Sequence, residues 1–120
     1  MTAPITVPLT QTQKQLVRAC LNESRGGSAS TFVAICNQPE AEFERVKAAF
    51  DTSMDDARLA LPEADWRIIF DSVHAAMYAL GPFEVPVILG SSLVELADIN
   101  LAIAVGVWDA YGGLTWAERN

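Results

Sequence analysis

Histidine occurs once in this chain, cysteine twice, and the 8 basic residues face 15 acidic ones. Each scarcity excludes a class of chemistry. A single histidine (His74) and two separated cysteines (Cys20 and Cys36) cannot assemble a structural zinc site, which takes four such ligands. Two cysteines are also too few for the disulfide framework of a small secreted domain. Both lie among apolar neighbours, in LVRACL and FVAIC, so they read as small packed hydrophobes. With a net charge of −7, the chain lacks the basic surface that binding to DNA or RNA requires. The seven glycines form no phosphate-cradling loop: Gly26-Gly27 is isolated and Gly112-Gly113 follows a helical pattern instead of opening one. No cofactor and no metal is expected on these grounds.

Long apolar runs are missing too. None reaches the roughly 20 residues of a bilayer span, and MTAPITVPLT has neither the basic nor the apolar region of a signal peptide. A cytoplasmic protein without membrane contact is the expectation. A 51% hydrophobic and 19% charged composition over 120 residues fits one folded domain.

The longest apolar stretch is Ile99–Trp108, INLAIAVGVW, interrupted only by Asn100 and Gly106. A surface helix carries an apolar stripe; one that is apolar all round needs cover on nearly every side. The run therefore predicts a central helix wrapped by the rest of the chain, with Ile103 fully buried, or a helix covered by a partner. A homodimer through the 93–111 helix is one form of the second option.

Capping signals divide the rest. Pro4 and Pro8 make residues 1–9 an extended N-terminal arm and not an element. Thr10 and Gln13 have capping-box spacing and open a first helix, with Leu16, Val17, Cys20 and Leu21 as its stripe. Asn22 to Ser30, rich in Gly and Ser, closes it in a loop. Asn37-x-x-Glu40 with Pro39 in the first turn starts a second helix, along which Phe43, Val46, Phe50, Met54, Ala57 and Leu61 recur. A break near Asp51-Thr52-Ser53 is compatible with the same pattern. Pro62 begins a third helix on Trp66, Ile69, Phe70, Val73, Met77 and Leu80, which Gly81-Pro82 stops. Ser92-x-x-Glu95 launches the fourth.

These signals predict an all-α fold, a single-domain bundle or orthogonal array of about four helices. The helical domain spans 10–112 and a C-terminal tail 113–120. Residues 31–36 and 83–89 (TFVAIC and FEVPVIL) have strand-like composition and could form a minor two-stranded patch, though Pro86 would hold the second at an edge.

The acids concentrate in the middle of the chain. Asp51, Asp55, Asp56, Glu63 and Asp65 gather around the junction of the second and third helices. Asp51 to Asp56 lacks the glycine and glutamate of a calcium loop, so this cluster is not read as a metal site. Asp71 and His74 share a helical face, but no nucleophile motif accompanies them. An enzyme is thus poorly supported. The expectation is a non-catalytic protein-binding module, by analogy of type an acidic inhibitor or immunity-type protein, whose five junction acids meet a basic partner. Trp116, which Gly112-Gly113 would let fold back, is a candidate aromatic anchor. The second reading is a dimeric helical domain enclosing an apolar ligand pocket or a weakly marked enzyme site.

Overall fold

The computed structural model describes residues 4–23, 38–55 and 59–110. Within them the chain runs β1 (Ile5–Val7), α1 (Gln11–Glu23), α2 (Glu40–Thr52), β2 (Leu59–Leu61), α3 (Glu63–Leu89) and α4 (Leu93–Ala110). The fold is all-α with a small two-stranded antiparallel sheet. The radius of gyration is 14.1 Å, close to the roughly 13.6 Å of a compact chain of this length.

Two of the four helices among the described residues begin with the capping box their sequence spells. The backbone N–H of Gln13 donates to Thr10 Oγ1 at 3.1 Å, and that of Thr10 to Gln13 Oε1 at 2.9 Å. Before α4, the Glu95 N–H donates to Ser92 Oγ at 3.2 Å. Each box satisfies N–H groups that the first helical turn leaves without partners. Pro39 and Pro62 occupy the cap positions of α2 and α3, one residue earlier than the first-turn placement expected, and both have extended ψ. Asn37 lies outside the described residues.

Three expectations require correction. Residues 5–7 of the supposed arm form β1, which pairs with β2 in the register Ile5↔Leu61, Thr6↔Ala60, Val7↔Leu59. Both strands alternate buried and exposed, so four apolar side chains enter the core. The Nε1–H of buried Trp66 donates to the Ile5 carbonyl at 2.7 Å and pins β1 to α3. Second, α2 ends at Thr52, at the break that Asp51-Thr52-Ser53 allowed, and Leu61 belongs to β2 instead of continuing the helical stripe. Third, residues 83–89 are helical, so the small sheet does not involve them; residues 31–36 lie outside the described residues.

That third outcome turns on Gly81. Its φ of 70° and ψ of −178° break α3, in a region open essentially to glycine alone. Pro82 then sits at the first position of a new helical piece, where its missing N–H costs nothing. The same Gly-Pro pair that stops one helix starts another. Gly90, with its N–H donating to the Pro86 carbonyl at 3.1 Å, closes the piece.

The core lies between α1, α2, the sheet and the first half of α3, closed on one side by α4. Val17, Cys20, Phe43, Val46, Phe50, Trp66, Ile69, Val73 and Ile99 are all buried there. By length and composition α3 could cross a membrane. Its first half, however, carries much of this core, and Gly81 divides it.

Candidate functional site

The helix α4 has two apolar faces, and only one is covered. Leu96, Ile99 and Ile103 point into the core and are buried. Asn100 ties this face to α3, its Nδ2 donating to the Phe70 carbonyl at 3.2 Å. Gly106 lets β1 come close: a Cβ there would stand 2.7 Å from Val7 Cγ2. On the other side Val94, Leu101, Val105 and Trp108 are 68%, 63%, 49% and 36% exposed. At 100° per residue these four fall within a narrow stripe, joined by exposed Ala97 and Ala104. The expectation of a central helix enclosed by its own chain is therefore corrected: Ile103 is buried, at 2% exposure, but half of the helix is open.

Two concave features border the stripe. A trough of about 440 Å³ runs between β1 and α4, lined by Thr6, Pro8, Asp98, Leu101, Ala102, Val105, Gly106 and Asp109. On the far side a cleft of about 260 Å³ opens between α3 and α4, with Trp66, Phe70, Ile103, Val107 and Trp108 as apolar walls and Glu63 and Arg67 at its polar end.

The five junction acids do not form one open face. Asp65 is buried, at 4% exposure, and accepts a 2.9 Å hydrogen bond from Arg45 Nη2, which also reaches Glu42. These bonds, to Asp65 first and then Glu42, raise the Arg45 guanidinium above its already high ordinary pKa. Asp51 Oδ1 stands 3.2 Å from Arg18 Nε, an ion pair without hydrogen-bond alignment. Glu63 lies 3.6 Å from Arg67. Asp55 is exposed, and Asp56 falls outside the described residues. Asp65 is thus a structural brace between α2 and α3, unavailable to a partner. Nothing in a list of acidic residues tells which carboxylates a tertiary neighbour has already claimed.

Two further candidates take their places. Cys20 is fully buried in α1, and burial first, then the charge of Glu23, pushes its thiol up to about 12. A thiol held protonated is a poor nucleophile. His74 is exposed, while burial raises the carboxyl of Asp71 against the opposing pull of Arg67 and His74. Among the described residues no group of three or more His, Cys, Asp or Glu side chains is arranged to hold a metal. Tyr111, Cys36 and Trp116 lie outside the described residues.

What the sequence reading missed is the location of the open surface. Its signal was present in the all-round apolarity of 99–108, which admits cover by a partner as readily as cover by the chain itself. No family model, no curated protein and no solved structure matches this chain, so its function has to be read from its own residues.

Proposed function

We propose that this protein is a non-catalytic protein-binding module that captures a basic partner on the outer face of α4. One observation carries the reading: an apolar stripe of four large side chains stays exposed beside the carboxylates of Asp98 and Asp109, on a helix without a single Lys, Arg or His. Exposed apolar surface of this kind, rimmed by charge, is the usual composition of a binding patch. The apolar stripe would supply most of the affinity, and the acids would steer approach and reject acidic proteins. The net charge of −7 favours the same class of partner, as in an inhibitor or immunity-type protein that neutralises a basic target.

The cleft between α3 and α4 supports a second reading, a small apolar ligand. Its volume of about 260 Å³ is below the roughly 300–1,000 Å³ typical of ligand pockets. It suits one inserted side chain better, and so adds to the first reading.

The test is co-purification from the source cell with the parent protein and Leu101→Asp. Leu101 is 63% exposed, so this variant keeps its fold and melting temperature. The parent retains a basic protein and the variant loses it. Association slows steeply as salt rises, while dissociation changes little. Retention of the same partner by Leu101→Asp overturns the proposal.

A further inference from the structure

The chemistry of the partner segment can be specified further, resting on the protein-binding reading above. Asp98 and Asp109 stand eleven residues apart on α4, and three helical turns take about 10.8 residues. The two carboxylates are therefore aligned to within about 20° around the helix and about 16 Å apart along it. Both line the trough between β1 and α4, whose floor between them is apolar. Both are exposed, and among the described residues neither forms an ion pair.

We infer that this face receives an amphipathic helix of a partner protein that carries two cations about three turns apart beside an apolar stripe. Lys or Arg at i and i+11 of such a helix reproduces the spacing of Asp98 and Asp109 when the two helices run nearly side by side. Because the acids are alike, either chain direction satisfies the register. Long Lys and Arg stems can cross the trough while lying against Leu101 and Val105.

Other occupants fit less well. A second copy of this chain would bring an α4 that holds only acids, leaving Asp98 and Asp109 without neutralisation. An anionic lipid surface would be repelled by the same pair. An extended strand would need the edge of β1, but Pro4 and Pro8 flank those three residues and donate no N–H.

Three synthetic Leu/Ala/Gln helices test this against the 120-residue chain by titration calorimetry. One has Lys at i and i+11 beside its leucine stripe, one has Glu at those positions, and one has its two Lys at i and i+5, which a helix places on different sides. The i,i+11 Lys helix should bind roughly ten-fold more tightly than either control, the scale expected of two partly exposed ion pairs. The double substitution Asp98→Lys/Asp109→Lys should reverse the preference toward the Glu helix, and Leu101→Asp should remove binding of all three. Equal binding of both Lys helices, or no effect of the double substitution, overturns the charge register while leaving the α4 surface as a protein-binding face. The same holds if no helix binds but a partner is still lost from the Leu101→Asp variant in the cell. Leu101-dependent dimerisation or binding to phosphatidylcholine vesicles, with no helix bound, overturns both.

Discussion

At the scale of single residues, the features that hold this fold are few and specific. The Trp66 indole donates to the Ile5 carbonyl at 2.7 Å inside the core, so the one polar atom of a large side chain fixes the position of a three-residue strand. Arg45 and Asp65 do the same between α2 and α3. Gly81 carries the backbone burden. Its φ of 70° with ψ near 180° has no neighbour within 4 Å of a hypothetical Cβ, so substitution there is a question of conformation alone, with no clash involved. Gly81→Ala should cost about 1–3 kcal/mol, since a side chain makes this φ/ψ combination unfavourable. Urea unfolding measures it, and a loss below about 0.5 kcal/mol, the range of ordinary surface changes, would contradict a kink at Gly81.

At the scale of elements, what could be read from sequence depended on how local the cause was. The starts of α1 and α4 were legible because Thr10–Gln13 and Ser92–Glu95 act within one turn. The strands were not. Ile5, Val7, Leu59 and Leu61 become a sheet by pairing across more than fifty residues, and Met54, Ala57 and Leu61 have a spacing that also suits a helix. Likewise, FEVPVIL reads as extended until Pro82 is recognised as a helix start. The candidate surface was half legible: apolarity around α4 announced that it needs cover, but only packing decides which face the chain itself supplies. That division gives a sharp contrast between two neighbours. Ile103→Asp places a charge at a site 2% exposed and should cost more than about 3 kcal/mol, whereas Leu101→Asp, at 63% exposure, should stay within about 0.5 kcal/mol. Thermal unfolding of both variants checks this. Equal losses would mean that the two faces of α4 are not distinguished.

At the scale of the whole molecule, an exposed apolar stripe has to coexist with solubility. Val94, Leu101 and Val105 on α4, with Phe83, Val87 and Ile88 on the last part of α3, are the kind of surface that drives self-association. A net charge of −7 opposes it at neutral pH, because every copy repels every other. That protection is set by pH. The sequence pI is about 4.5, so acidification toward that value removes the repulsion and leaves the apolar attraction intact. Light scattering of the purified protein should therefore rise sharply as pH falls from 7 to 4.5, while far-UV circular dichroism confirms that the helices persist. The double substitution Leu101→Gln/Val105→Gln changes no charge and leaves the pI where it is. It should lower the scattering, because the α4 stripe no longer adds to the cohesion that Phe83, Val87 and Ile88 retain. If parent and variant scatter alike, the outer face of α4 is not the cohesive surface. If sedimentation instead finds a stable dimer already at pH 7 that Leu101→Gln/Val105→Gln dissociates, that face is closed by a second copy and is not open for a basic partner.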